Sequence, residues 1–189
     1  MSIFDHAKAV KDLMKAGVDC YMSEGTAEAL KLTGHRLYTF KGTNKGDILT
    51  YKPFKLASYT IIPLMLVHDV LEPTGYLIED SMTRESVLFV TDTAYMVYKI
   101  PAVDYIMIEC NYVKSVLDEK VEQGKINVSL RNRIVKNHMS LETLVEALKL
   151  ADLSRTKKIY VMHLSDGNSN EEIIKRQIQE VSGCEVVIC

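Results

Sequence analysis

The sequence predicts a layered α/β domain, on three observations. Segments from residue 36 to 67 are rich in strand-forming runs (RLYTF, ILTYKPF, YTIIPLMLV). From residue 104 onward strands and helices alternate, the pattern that builds sheets covered by helices. The runs VLFVTD, YIMIEC and IYVMHL are apolar at successive positions, so both of their faces are expected to be covered.

The elements follow in order. Ala7 to Lys15 reads as a helix, with Val10, Leu13 and Met14 on one face and Gly17 as its stop. Val18 to Met22 reads as a short strand and Thr26 to Leu32 as a short helix. The composition of Lys41 to Asp47 (KGTNKGD) reads as a turn. GYLIED and VLFVTD form a hairpin pair joined by residues 81–86. Asp104 to Cys110 is a buried strand, followed by a helix over Val113 to Gln123 that ends at Gly124. Leu141 to Asp152 is an amphipathic helix with Leu141, Leu144, Val145, Leu148 and Ala151 on one stripe and Ser140 as N-cap. Lys158 to Leu164 is a strand. Glu171 to Val181 is a helix between Asn170 and Gly183, and Glu185 to Cys189 is a last strand. With no repeat, low-complexity tract or linker, residues 1–189 form one domain, long enough for a substantial core.

Composition narrows the function classes. A net charge of −2 argues against a surface that is basic throughout. No apolar run approaches the length of a membrane span, and MSIFDHAKAV lacks the layout of a signal peptide. Cys20, Cys110, Cys184 and Cys189 form no CxxC pair, and three of them lie in or beside apolar runs. They read as reduced thiols of a cytoplasmic protein, and a disulfide redox role finds no support.

The chemistry-bearing residues stand in short segments: Asp5-His6, His68 in LMLVHDVLEPTGY, Asp92 in VLFVTDTAY and His163 in IYVMHLSDGNSN. The last three end strand-like runs, where α/β folds gather ligand loops. His and Asp are the usual ligands of catalytic zinc and related divalent ions. Taken singly, each also has a plainer reading: Asp5 as a helix N-cap, the histidines as strand-end hydrogen-bonding groups, and His138 as the residue before the Ser140 cap. Glu109 and Asn111 read as local hydrogen-bonding groups, with Glu109 also a candidate near the metal site. His35 reads as a surface loop residue.

Together these segments resemble the metallo-β-lactamase fold hydrolases, in the phosphodiesterase and exonuclease-like branch common in bacteria and their phages. FVTDTAY resembles that branch's F-x-T-D-T-G, with Ala94 in place of glycine. DYIMIECNY resembles its strand with E-x-N, and NHMSLETL its G-H-x-S segment. The resemblance implies a four-layer αββα sandwich. It implies a metal set of Asp5, His6, His68, Asp92 and His163, with Asp92 bridging two ions. The metal would be zinc, with manganese or iron as alternatives, at one or two per chain. His138 is implied as general acid or phosphate-binding group, Ser165 as a residue of the site mouth, and Asp69 and Asp166 as groups that orient ligands. The resemblance implies a phosphodiester or nucleotide as substrate, nucleic acid included.

The window Met1-Ser2-Ile3-Phe4-Asp5-His6 lies against the first motif, H-x-H-x-D-H, with Met1 and Ile3 where its leading histidines belong. The resemblance therefore implies a sandwich lacking its opening strands. Two readings result: a metal-dependent hydrolase, or a catalytically degenerate binding module whose open sheet edge favours a homo-oligomer.

Overall fold

The computed structural model describes residues 7–189. Its centre is a mixed sheet of seven strands: β5 (Phe54–Leu56), β6 (Tyr59–Met65), β7 (Thr74–Asp80), β8 (Ser86–Val90), β9 (Tyr105–Glu109), β10 (Lys158–Met162) and β11 (Glu185–Ile188). They lie in the order β11-β10-β9-β8-β7-β6-β5. β8 to β11 are parallel neighbours, and β5 to β8 are antiparallel neighbours. It follows that β6, β8, β9 and β10 all run the same way, and their C-terminal ends share one edge.

Register builds the core. Leu88, Ile106, Ile159 and Val186 pair across four strands, and Val90, Ile108 and Val161 form the next row on the same face. All seven are at most 2% exposed. They pack against Leu144 and Leu148 of a helix over Leu141–Lys149 and Ile174 and Ile178 of a helix over Glu171–Ser182. Burying each such side chain contributes about 1.5–3 kcal/mol. The opposite face differs from expectation, since Val87, Phe89, Tyr105, Met107 and Tyr160 are only half-buried. These central strands are sealed on one face and partly open on the other.

A smaller lobe precedes the sheet. α1 (Val10–Lys15), β1 (Cys20–Ser23), α2 (Glu24–Ala29) and β2 (Leu37–Phe40) enclose a second cluster of Met22, Ala27, Leu30 and Leu32. β1 and β2 pair in parallel. The lobe is joined to the sheet at Glu72, whose carbonyl accepts from Ser23 Oγ at 2.9 Å and whose carboxylate accepts from Gly25 N at 2.6 Å.

Two segments correct the reading of the sequence. Gly42–Lys45 is not turn but strand β3, paired antiparallel with β4 (Ile48–Tyr51). Its composition is that of a turn because the ribbon is exposed, and only the reversal at Gly46, with φ of +63°, needs turn chemistry. Val128–Asn137 is a helix, here α4, in a segment where no element is expected. Its sequence is mostly polar, and the Asn127 side chain caps it by accepting from Leu130 N at 2.8 Å. The remaining helices are α3 (Lys114–Glu122), α5 (Leu141–Lys149) and α6 (Glu171–Ser182), with Ser140 and Asn170 capping the last two.

Candidate metal centre

The shared C-terminal edge of β6, β8, β9 and β10 carries the site. His68 lies three residues past β6, Asp92 two past β8, Glu109 ends β9 and His163 follows β10. His138 is the C-cap residue of α4. Parallel strands bring their ends level, so residues scattered over the chain meet without a long loop. Asp92 and His163 both take left-handed backbone angles, φ of +53° and +59°. Such a conformation costs a non-glycine residue of order 1 kcal/mol and recurs where geometry serves a site.

Ligand atoms of Asp92, Glu109, His138 and His163 lie within 4.8 Å of one another. Glu109 is the hub. Its Oε1 is 2.7 Å from His138 Nδ1 and 3.1 Å from His163 Nδ1, and its Oε2 accepts from Thr93 N at 2.8 Å. A carboxylate only accepts, so both histidines are held with Nδ1 as donor. His163 Nε2 then faces Asp92 Oδ1 at 3.4 Å, and His138 Nδ1 is 3.7 Å from the same oxygen. Asn111 Nδ2 donates to the His163 carbonyl at 2.9 Å, which fixes the loop after β10.

The electrostatics follow from this pairing. Burial alone would raise the Glu109 carboxyl, but hydrogen bonds from His138 and His163 outweigh it and hold Glu109 below its ordinary value. Burial works against the charged form of His163 too, yet Glu109 and Asp92 win and raise it. His68 goes the other way, lowered chiefly by burial.

His68 sits beside this cluster, its ring centroid 5.4 Å from that of His138. Both of its ring nitrogens are buried and make no hydrogen bond among the described residues, although Asp69 Oδ1 is 3.2 Å from Nδ1. An orphaned buried imidazole is costly unless a further partner completes it. Asp69 is tied in turn to α4, its N–H donating to Asn137 Oδ1 at 3.0 Å. Next to His68 and Asp92 opens a cavity of about 340 Å3, whose wall includes Leu66, Tyr76, Phe89 and Thr26. The donor set fits a divalent cation: two carboxylates and two histidines converge, and the ring nitrogens of a third histidine have no hydrogen bond among the described residues.

The expected residues fall out as follows. Asp92, His138 and His163 come together, with His68 alongside. Asp5 and His6 lie outside the described residues. Ser165 is two residues beyond His163, and its Oγ accepts from Asn168 Nδ2 at 3.1 Å. Glu109 is a buried hub rather than a local hydrogen-bonding group, and Thr93 and Asn137 are supports with no part in the sequence reading. The available signal was a glutamate ending an otherwise apolar strand, where burial demands partners.

No family model matches the chain. It is 28% identical over 184 residues to the exodeoxyribonuclease WalJ of two Streptococcus pneumoniae strains, a match that takes in 89% of this chain. The chain spans 63% of the length of these curated relatives. Among solved structures it is similar to the metallo-β-lactamase fold protein YhfI of Bacillus subtilis, with a TM-score of 0.65, 19% identity, and coverage of 98% of this chain and 70% of that one. It is also similar to a diphosphatase of the PhnP family, with a TM-score of 0.53, 18% identity, and coverage of 88% and 54%. A likeness that runs over nearly the whole chain is one of architecture rather than of a shared motif, and the chain has the fold of the metallo-β-lactamase fold proteins.

Proposed function

We propose that this chain is a metal-dependent hydrolase of phosphodiester bonds, with nucleic acid as substrate and zinc as metal. The observation that carries the reading is the convergence of Asp92, His138 and His163 on buried Glu109, beside a His68 whose ring nitrogens lack hydrogen bonds among the described residues. The name of the matched relative, an exodeoxyribonuclease, supports the substrate.

His68, Asp92 and His163 are the described residues that would hold the metal, and by resemblance Asp5 and His6 complete the set. A divalent ion there supplies positive charge that polarises a phosphoryl oxygen and acidifies water. The protein's own part is positioning and proton transfer. Glu109 holds the His138 and His163 rings by Nδ1, which commits Nε2 of each to the opposite side. His138 gives its Nε2 proton to the leaving oxygen as the P–O bond breaks and water adds to phosphorus, and the proton that this water loses returns to His138 Nε2. Ser165 is a candidate substrate contact.

The test is elemental analysis of the purified chain together with turnover of bis(4-nitrophenyl) phosphate. One or two metals per chain and turnover that Asp92→Asn abolishes would support the reading. Bound metal without turnover would sink it. That second outcome is what a degenerate binding module predicts, a reading favoured by Met1 and Ile3 in the positions of the leading histidines.

A further inference from the structure

The net charge of −2 conceals an uneven distribution. Residues 7–60 hold nine Lys and Arg against five Asp and Glu, and residues 61–189 hold 14 against 19. Within the first region lies a cleft of about 400 Å3 walled by Lys11, Lys15, Lys31 and Arg36 over Met14 and Leu32. No carboxylate is among the described residues that line it. Lys15 and Arg36 have partners on its margin, Asp12 at 3.3 Å and Asp19 at 2.9 Å.

The cleft adjoins a run of aromatic rings. Arg36 immediately precedes β2, and Tyr38 is the second residue of that strand. Tyr38 is 44% exposed and stacks on Tyr21 at 4.8 Å and 13°. Tyr21 stacks on Phe54 at 5.7 Å, Phe54 on Phe40 at 5.6 Å, and Phe40 meets Tyr76 edge-on at 6.4 Å. Tyr76 lines the cavity that also holds His68 and Asp92. Cations without lining carboxylates thus give way to an exposed ring, and the rings lead to the metal centre.

We propose that residues 7–60 bind a single strand of nucleic acid, its phosphates in the cleft of Lys11, Lys31 and Arg36 and its bases against the exposed ring of Tyr38. The strand is thereby led to the cavity beside His68 and Asp92. A basic groove next to stacking rings is what single strands recognise, because each base offers a π-face and each linkage a negative charge. Paired bases in a duplex keep their faces stacked on one another and cannot use Tyr38. The end of the path rests on the phosphodiesterase reading, whereas the binding does not.

The experiment measures fluorescence anisotropy of a labelled oligothymidylate of about 12 nucleotides, a length one small domain can span. The full chain is used with EDTA present, so that nothing is cleaved. Binding is expected to weaken linearly with the logarithm of salt concentration. Tyr38→Ala weakens it about tenfold while Tyr38→Phe retains it. Charge reversal at Lys11→Glu with Lys31→Glu weakens it and lowers the salt slope by about 1.4, the share of two phosphate contacts on a single strand. Circular dichroism confirms that each variant is folded. The proposal is overturned by absent binding, by wild-type affinity in both Tyr38→Ala and the charge-reversed variant, or by a duplex of equal length binding as tightly as the single strand. Turnover of bis(4-nitrophenyl) phosphate by the wild-type chain is read separately, because that small diester reports the metal centre and not the track. Binding without that turnover supports the track and sinks only the hydrolase reading.

Discussion

The two ends of the same three strands carry opposite kinds of charge cluster. At the N-terminal ends of β8, β9 and β10 stands buried Asp104. Its carboxylate accepts from Ser86 N at 2.9 Å, Ser86 Oγ at 3.2 Å and Arg155 at 2.7 Å, with Lys157 Nζ at 3.2 Å. Lys157 also reaches Glu85 at 2.8 Å. At the C-terminal ends, Asp92 and Glu109 pair with the imidazoles of His138 and His163, and His68 has both ring nitrogens without a hydrogen bond among the described residues. The first end matches each charge with permanent countercharge and loses nothing by it. The second gathers groups that change protonation near neutral pH or coordinate metal. The contrast separates a clamp that fixes the sheet from a site assembled to do chemistry.

That contrast can be broken from either end. The largest effect is expected from Asp92→Asn, which should lower turnover of bis(4-nitrophenyl) phosphate by at least about a hundredfold with the melting temperature retained. A variant that keeps its activity would remove Asp92 from the site. Next is Glu109→Gln. It releases the donor pattern of two histidines, and metal affinity by calorimetric titration should fall about 10- to 100-fold. At the other end, Asp104→Ala leaves the buried Ser86 N–H without its acceptor. It should cost about 1–3 kcal/mol in urea unfolding while turnover at full folding stays the same. Loss of activity comparable to that of Asp92→Asn would show that the two ends are not separable.

The smallest effect is one of pH. Because Glu109 lies below its ordinary value in the folded chain, its ionised form contributes stability above the usual carboxylate value of about 4.3, and that contribution is lost as pH falls through the lower folded value. The melting-temperature gap between metal-free wild type and Glu109→Gln should therefore be full above about pH 5 and close below about pH 4. A gap that widens on acidification would reverse the sign assigned to Glu109.

Much of this was open to reading from local pattern. Leu141, Leu144 and Leu148 repeat at helical spacing and face the core as that spacing requires. Ser140 and Asn170 cap helices because a short polar side chain can accept from the first-turn amides. Asp92 and His163 were visible as polar residues ending apolar runs. Less legible was α4, where only Ile134 and Val135 interrupt a polar run after the first turn, so that no apolar stripe announces a helix. β3 was masked by turn-forming residues that an exposed ribbon tolerates.

The sequence by itself determined most of the segments that become strands and helices, α4 and β3 apart, and which ends of them carry acids and imidazoles, since periodicity and capping are properties of neighbours along the chain. Only the tertiary structure decided that Glu109 is shared by His138 and His163, 29 and 54 residues away, and that Asp69 is held by Asn137 at a separation of 68. Strand order and register set those meetings, and they depend on how the whole sheet buries its apolar face. A local pattern can say that a glutamate ends a strand, but the low-dielectric interior that makes its partners compulsory exists only once the sheet has closed over it.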